Sequence, residues 1–393
     1  MSLKIYSAIL LIIISLLLWI ALEKSNEVSS QHSLASFLTE QIQEDLLIKP
    51  IDKQSLDTAW DQISHNTGYV RYKLIKGKFT AAARPSTKKH SRYVVITKAL
   101  NAIFSSATYP DLDFIVSLGD FELDNPLTAP IFTFAKHSSA KKLILMPDFE
   151  ALNKMDRSYL KNQILQSNKN NLWINKQDVL YWRGSSTGPI FNAHMLKNKL
   201  WLKSARFYLV HLSEKYPEYI NAHFVRYCQM SQDSISKIAS IMPLAEVVHP
   251  KDHLIYKYLI DVDGNSCCYS RTYWILLSNS VALKQKTENI QWFYKGLKPY
   301  IHFVPLCHDL HDLIEKIEWC KLHDNEVRKI SERASQLALS CLSYEENIHY
   351  LSDLLIAYSA CLTFSPLIDK EDQQVIDKED QQASISLIDK TME

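Results

Sequence analysis

Glycine is scarce in this chain, and most of the few glycines fall inside or beside short polar motifs. There are 7 glycines in 393 residues. Gly184 and Gly188 lie in the segment YWRGSSTG, Gly264 lies in DVDGNS, and Gly119 directly precedes an acidic residue after an apolar run. Glycine permits positive φ and lets the backbone approach a ligand closely. We therefore expect each of these positions to mark a turn that the backbone requires.

The segments 181–188 and 261–271 join these glycines to hydroxyl groups and arginines. Such a turn suits a diphosphate, because N–H groups and hydroxyls bond the oxygens while a guanidinium neutralises charge in a bidentate fork. Arg183 and Arg271 are the candidate cations, with Ser185 and Thr187 as hydroxyl donors. A helix that begins near Ser266 would add its N-terminal dipole. Together the two segments predict a nucleotide-sugar site.

The overall composition excludes several classes of protein. With 47% hydrophobic residues the chain can bury a large core, which at this length suggests two domains. The net charge is +1, from 44 basic and 43 acidic residues, which argues against non-specific nucleic-acid binding. All 7 cysteines lie from Cys228 onward without a CxxC pair, so we expect reduced thiols and not a disulfide framework.

The N-terminus carries a long aliphatic run. Ile5–Leu22 is preceded by Lys4 and followed by Glu23-Lys24, and its length is just enough to span a bilayer. We predict an uncleaved single-pass anchor of undetermined orientation and a membrane localisation, with a cleaved signal peptide as the alternative.

Short β-branched runs alternate with helical stretches along the rest of the chain, which predicts an α/β fold with parallel sheets. The polar segment Gln166–Gln177 is the predicted domain boundary. We predict an anchor over 1–24, a stalk over 25–45, an N-terminal domain over 46–175, a C-terminal domain over 176–365, and a disordered tail with a charged repeat over 366–393. The predicted strands are Arg92–Thr97, Phe114–Leu118, Ile131–Phe134, Leu143–Met146, Val179–Trp182, Tyr256–Ile260, Ser280–Leu283 and Ile301–Val304.

Two helices are predicted to close the fold. Apolar residues recur at helical spacing from Val327 to Cys341, and Ser343 to Glu346 forms a capping box ahead of the stripe Ile348, Leu351, Leu355 and Tyr358.

Three polar groups allow more than one interpretation. Asp261 and Asp263 form a DxD pair that could hold a divalent ion, although Asp-Gly-Asn is also good turn chemistry. His308 and His311 follow Cys307 like part of a zinc site, but without a fourth ligand nearby they favour a solvated helix face. Asp120 follows an apolar strand, where ligands bind in α/β sheets, and it could equally be a helix cap.

The ordered series FIVSLGD, YWRGSSTG, DVDGNSCCYSR, SNSVALKQ, WFYKGLKPYIHFVP and DLHDLIEKIEW resembles glycosyltransferase family 90. That family includes Rumi-type protein O-glucosyltransferases, fungal capsule-associated proteins and bacterial lipopolysaccharide-modifying proteins. The resemblance covers roughly Arg92 to Leu355. It implies a GT-B fold of two Rossmann-like domains facing across a cleft, with a metal-independent inverting mechanism and no cofactor.

The resemblance also assigns roles to residues. Asp120 inherits the role of catalytic base, although Gly119 stands where the family has arginine and the following proline is absent. Asp124 and Asp148 are the alternative bases. Arg206 is a candidate for a further donor-site arginine, and Trp182 or Tyr269 could pack on the uracil or the sugar. The donor-binding residues are Arg183, Gly184, Ser185, Thr187, Gly188, Ser266, Cys267, Cys268, Tyr269, Ser270 and Arg271.

The sequence therefore predicts an enzyme that transfers a sugar, glucose by default, from a UDP-sugar to a hydroxyl of a glycan or protein. The alternatives are a metal-dependent transferase that uses Asp261 and Asp263, and a membrane-tethered glycan-binding protein that has lost activity.

Overall fold

The computed structural model describes residues 36–47, 50–120, 127–188 and 193–366. Within these ranges the protein is a mixed α/β structure built on two five-stranded sheets and a two-stranded sheet. The predicted alternation of strands and helices is confirmed at this level.

The first sheet combines a hairpin with three parallel strands, in the order β2-β1-β3-β4-β6. Strand β1 pairs antiparallel with β2 and β3, whereas β3, β4 and β6 run parallel. The predicted parallel arrangement thus holds for only part of this sheet. The elements of this part of the chain are a helix α1 over 36–45, α2 (Lys53–Ile63), β1 (Tyr69–Ile75), β2 (Lys78–Ala82), α3 (Pro85–Lys88), α4 (Ser91–Ser106), β3 (Leu112–Ser117), β4 (Ile131–Thr133), β5 (Lys136–His137), β6 (Leu143–Leu145) and α5 (Lys154–Asn170).

The β1–β2 hairpin is absent from the sequence predictions. Its turn consists of Lys76 (φ 51°) and Gly77 (φ 79°). Positive φ at both central residues is the type I′ geometry, whose twist matches that of the flanking strands.

The predicted strand Arg92–Thr97 is wrong, because these residues lie in helix α4. The β-branched run 94–97 favours a strand locally. However, Ile96, Ala99, Leu100 and Ile103 are buried at helical spacing, so burial of this face decides the structure. This correction moves Arg92 to the first turn of a helix.

The second sheet is entirely parallel, in the order β12-β10-β9-β7-β8. The four strands predicted for this part of the chain overlap β7, β9, β10 and β12, with shifts of a few residues at their ends. The elements of this part of the chain are β7 (Gln177–Ser185), α6 (Ala193–Lys197), α7 (Ala205–Lys215), β8 (Ile220–Arg226), α8 (Gln232–Ala239), β9 (Tyr256–Asp261), α9 (Tyr269–Leu277), β10 (Val281–Gln285), β11 (Asn289–Ile290), β12 (Val304–Leu306), α10 (Leu313–Leu322), α11 (Asp324–Cys341) and α12 (Tyr344–Ser359).

The last helix returns to the first sheet. Ser343 caps α12 by accepting the Glu346 N–H at 3.2 Å, as the capping box predicts. The Tyr358 hydroxyl donates to the Asp113 carbonyl at 3.1 Å, and the Tyr358 ring contacts the Phe114 ring in β3. Strand β5 pairs with β11, which adds a second link between the two parts of the chain. The predicted division at Gln166–Gln177 separates β6 from β7, but it begins inside α5.

Several predictions for the ends of the chain need correction or fall outside the described residues. The predicted stalk is helical over 36–45, where Phe37 and Asp45 are buried. The predicted membrane localisation is wrong by the finding that, among the described residues, no helix has the length and apolar character needed to span a bilayer. The Ile5–Leu22 segment and residues 367–393 of the predicted tail lie outside the described ranges. None of the 7 cysteines, all of which the structure describes, forms a disulfide.

Candidate active site

The two glycine-containing segments meet at one edge of the second sheet. Strands β7 and β9 are adjacent and parallel, so the residues that follow them lie at the same edge. A cavity of about 340 Å³ opens there, and Gly188, Asp263, Gly264, Gln285, Thr287 and His308 are among the residues that line it. This is the edge at which open α/β sheets bind ligands.

Two glycines allow the segments to approach closely. Gly188 has φ 134°, and a Cβ built on it would lie 3.4 Å from the Gly264 carbonyl oxygen. A Cβ on Gly264 would lie 2.6 Å from Thr187 Oγ1 and 2.8 Å from Arg206 Nη2. A side chain at Gly188 would be strained at this φ, and a Cβ on Gly264 would displace the Thr187 hydroxyl and the Arg206 guanidinium, so the glycines meet a backbone requirement at one position and a packing requirement at the other.

Arg206 ties the two segments together. It projects from α7, and its Nη1 donates to the Ser185 carbonyl at 3.0 Å and to Thr187 Oγ1 at 2.7 Å. On the other segment, its Nε donates to the Asp263 carbonyl at 3.0 Å and its Nη2 to the Val262 carbonyl at 3.1 Å. The structure therefore places Arg206 within the predicted site, where it fixes the backbone of both loops.

Arg271 and Arg183 lie beside this junction. Arg271 Nη2 donates to the Arg183 carbonyl at 2.6 Å, and the Arg183 guanidinium donates to the backbone and side chain of Asn221. Burial lowers the pKa of both guanidinium groups. Among the described residues, Arg183, Arg206 and Arg271 have no carboxylate within ion-pair distance. Arg206 is buried and the other two are half-buried, and such cations without a nearby carboxylate are suited to an anionic ligand.

Asp120 approaches this edge from the first sheet. It follows β3, and its side chain is 34% exposed. Arg92 Nη2 donates to Asp120 Oδ1 at 2.5 Å, Asn265 Nδ2 donates to Oδ2 at 3.2 Å, and the Tyr269 hydroxyl donates to the Asp120 carbonyl at 2.5 Å. Asp120, the predicted base, is therefore in direct contact with the segment 261–271 that is predicted to bind the sugar donor.

Several predicted site residues point away from a ligand. Trp182 is fully buried against Phe224 in the core of the second sheet, so its proposed stacking on uracil or sugar is wrong in this structure. Cys267 and Cys268 are also buried, and burial raises the pKa of Cys268 to about 12. Only their backbone groups could contact a donor. Ser266 Oγ is buried and has no hydrogen-bond partner among the described residues.

Asp148 is a poor alternative base. It is 4% exposed, and its Oδ1 accepts the backbone N–H groups of Glu150 and Ala151 at 2.8 and 3.1 Å. Burial, with a contribution from Glu150, raises the pKa of Asp148 to about 6. Its position is that of a turn-stabilising carboxyl group. The other alternative, Asp124, lies outside the described residues.

The first turn of α9 also differs from the prediction. The Ser270 N–H donates to Glu150 Oε2 at 3.0 Å. The Glu150 carboxylate therefore accepts the N–H group at the start of the helix to which the prediction assigns a phosphate.

The DxD pair is largely committed to protein contacts. Asp261 is 2% exposed and accepts hydrogen bonds from Lys284 Nζ and Thr272 Oγ1, both at 2.9 Å. Burial alone would raise the pKa of Asp261, but these contacts hold it below its ordinary value. Asp263 Oδ2 accepts the Asn289 amide at 2.9 Å. Within the described ranges no group of three His, Cys, Asp or Glu side chains could hold a metal ion.

The Cys307 to His311 segment is not a helix face. His308 and His311 are exposed in the turn before α10, and His311 Nδ1 contacts Asp309 Oδ1 at 2.6 Å.

A sequence profile of glycosyl transferase family 90 matches residues 31–392. The chain belongs to glycosyl transferase family 90. Relatives of this family 90 chain include protein O-glucosyltransferase 3 of Mus musculus (27% identical over 72% of this chain and 54% of the relative), protein O-glucosyltransferase 2 of Danio rerio (27%, 71% and 54%) and protein O-glucosyltransferase 1 of Rattus norvegicus (26%, 68% and 67%). The chain spans about half the length of the first two.

Three side chains near Asp120 were not predicted, either from the residue patterns or from the resemblance to family 90. Arg92, Glu150 and Asn265 are absent from the predicted site residues, yet each contacts Asp120 or the segment that faces it. One signal existed for Arg92. Since Gly119 stands where the family has arginine, another guanidinium near Asp120 could have been sought elsewhere in the chain.

Proposed function

We propose that this protein transfers a sugar, glucose by default, from a UDP-sugar to a hydroxyl group of a protein or glycan. The relatives named above are protein O-glucosyltransferases, which supports glucose as donor sugar and a protein hydroxyl as one class of acceptor. The two five-stranded sheets joined by the returning helix α12 support a GT-B arrangement of two Rossmann-like units.

The observation that carries the proposal is a set of three guanidinium groups beside the two glycine-containing segments, Arg206 bonded to both segments and Arg271 bonded to the Arg183 carbonyl. Arg183, Arg206 and Arg271 have no carboxylate partners among the described residues, and the edge opens into the 340 Å³ cavity. A nucleoside diphosphate would supply the missing negative charge. Thr187 Oγ1, Ser185 Oγ and nearby N–H groups would add neutral donors to its oxygens.

In the reaction, Asp120 acts as general base. It removes the proton of the acceptor hydroxyl while that oxygen attacks the anomeric carbon opposite the UDP, so the configuration at that carbon inverts. Positioned proton transfer of this kind is typically worth 10²–10⁴-fold in rate. Arg271 and Arg183 stabilise the charge that develops on the departing diphosphate.

The arrangement of Asp261 favours this mechanism over a DxD metal site. Its carboxylate is buried and bonded to Lys284, so the pair Asp261 and Asp263 offers one accessible carboxylate. Diphosphate charge is then balanced by arginines. We therefore propose a reaction that needs no metal ion.

Nucleotide binding and turnover test the proposal together. The purified chain should bind UDP more tightly than GDP or CDP in calorimetry with EDTA present, and it should release UDP from at least one of UDP-glucose, UDP-xylose and UDP-galactose. Glycan and protein acceptors should accelerate that release. UDP binding without any turnover would favour the glycan-binding alternative, and absence of UDP binding would refute the donor site.

A further inference from the structure

Each polar atom of Asp120 that could orient its carboxylate has a partner from a different part of the chain. Oδ1 accepts from Arg92 on α4, Oδ2 accepts from Asn265 after β9, and the carbonyl accepts from Tyr269 on α9. An ionised carboxylate has about four lone-pair positions. The described residues occupy two of these positions, which leaves two for an acceptor hydroxyl while the group is held in one orientation.

Arg92 is itself fixed. Its Nη1 donates to the Leu118 carbonyl at 2.7 Å, at the end of the strand that carries Asp120. Its guanidinium lies 4.2 Å from the centroid of the Phe149 ring, and its side chain is 20% exposed. A planar guanidinium that makes two hydrogen bonds and packs on one ring face has little conformational freedom, so it restricts the orientation of the Asp120 carboxylate.

Asn265 continues into a chain of side-chain amides. Its Oδ1 accepts from Gln229 Nε2 at 2.9 Å, and Gln229 Oε1 accepts the Gly188 N–H at 3.1 Å. Donors and acceptors alternate along the whole series from Gly188 through Gln229 and Asn265 to Asp120. Gln229 has φ 61°, an unusual conformation for a residue other than glycine, which directs its side chain from the end of β8.

This series begins at the loop that lines the proposed diphosphate site. Gly188 lines the 340 Å³ cavity and follows the hydroxyls of Ser185 and Thr187. A ligand that fixes this loop also fixes Gln229 and Asn265, because each amide offers its neighbour one donor and one acceptor. Three hydrogen bonds in series thereby link the Asp120 carboxylate to this loop.

We propose that Arg92, Asn265 and Gln229 are positioning residues for Asp120, and that the two amides couple occupancy of the donor diphosphate site to the orientation of the base. The proposal rests on the proposed function, since it requires Asp120 to act as the base of a transfer reaction. Arg92 supplies from α4 the guanidinium that the segment preceding Asp120 lacks.

The test compares transfer and UDP binding in a series of variants of the full chain. Arg92→Gln and Gln229→Met remove single links, and Gln229→Met breaks the contacts with Asn265 and with the Gly188 N–H without adding charge beside the diphosphate site. We expect kcat to fall about 10-fold in each, because small displacements of a catalytic group can cost up to about 10²-fold. The UDP Kd should stay within about twofold of the parent value. Arg92→Lys should recover part of kcat, and Gln166→Ala, an exposed amide outside the series, should match the parent.

A double variant separates positioning from general structure. If Arg92 acts through Asp120, then adding Arg92→Gln to Asp120→Asn should lower transfer no further. Three results would overturn the positioning role. One is a further loss of transfer in the double variant that equals the loss in Arg92→Gln alone. The others are a parallel loss of UDP binding and thermal stability in the single variants at Arg92 and Gln229, and a parent-like kcat in both of them. If Asp120→Asn itself keeps parent-like transfer, the proposed base fails and the positioning proposal fails with it. Near-parent kcat in the positioning variants beside an inactive Asp120→Asn would refute the positioning proposal alone.

Discussion

Replacement of Arg271 by methionine should weaken UDP binding while it leaves the fold stable. Arg271 is half-buried on α9, and the structure gives its guanidinium one hydrogen bond, to the Arg183 carbonyl at 2.6 Å. A guanidinium has five N–H donors, so most of its capacity is available to a diphosphate. Methionine keeps much of the apolar stem and removes the charge.

The expected change in the UDP Kd follows from the loss of one charged hydrogen-bond donor. A hydrogen bond to a charged group is worth about 1.5–3 kcal/mol, so its loss should raise the UDP Kd by about 10- to 150-fold. Loss of the bond to the Arg183 carbonyl costs stability, whereas methionine relieves the desolvation of a buried guanidinium, the same burial that lowers the pKa of Arg271. These effects oppose each other, so the free energy of unfolding should change by about 1 kcal/mol or less.

Calorimetry with UDP and urea denaturation measure the two quantities on the same preparation. Arg271→Lys should bind with intermediate affinity, since lysine keeps the charge and loses the bidentate geometry. Arg328→Met is the matched control, because Arg328 is exposed on α11 and paired with Glu332 at 3.0 Å. An unchanged UDP Kd in Arg271→Met would refute the assignment of the diphosphate site, and a loss of stability by several kcal/mol would assign Arg271 a structural role instead.

Two further predictions concern pH and metal ions. Burial, with a contribution from Arg271, lowers the pKa of His253 from 6.5 to about 3, so the unfolded chain binds a proton below pH 6.5 that the folded chain does not bind. This contribution to stability is present above pH 6.5 and is lost as the pH falls, by about 2 kcal/mol at pH 5. Urea denaturation at pH 7 and pH 5 should show this extra loss of unfolding free energy in the parent and in His65→Gln, a control at an exposed histidine, but not in His253→Gln. Equal losses in all three proteins would contradict the prediction. Transfer should persist in EDTA, and Asp263→Ala should lower the rate of transfer less than Arg271→Ala; complete inhibition by EDTA with rescue by manganese would instead support the DxD site.

The meeting of the two glycine-containing segments could be predicted from the sequence because parallel strands leave little freedom there. The segments after β7 and β9 were recognisable by Gly188 and Gly264, and adjacent parallel strands necessarily bring such segments to one edge. Strand alternation does not predict the burial of Trp182, because β7 is covered on both faces: Tyr181 and Trp182 point to opposite sides, and both are buried.

The environment of Asp120 could not be read in the same way. Arg92 lies in a run whose β-branched residues favour a strand, and the helix that carries it is decided by burial of Ile96 and Leu100 against the rest of the protein. Gln229 and Asn265 are polar side chains in turns, where no periodicity relates them. Their contact depends on how β8 and β9 place the two turns, which local sequence does not encode.

The exchange of Asp120 for asparagine tests the central claim most directly. Asparagine keeps the size of the side chain and an oxygen that can accept from Arg92, but it cannot take up the proton of the acceptor. The account predicts that transfer from the UDP-sugar falls by about 10²-fold or more, while the UDP Kd and the thermal stability stay close to the parent values. Transfer at a near-parent rate in Asp120→Asn would contradict the account and require another base.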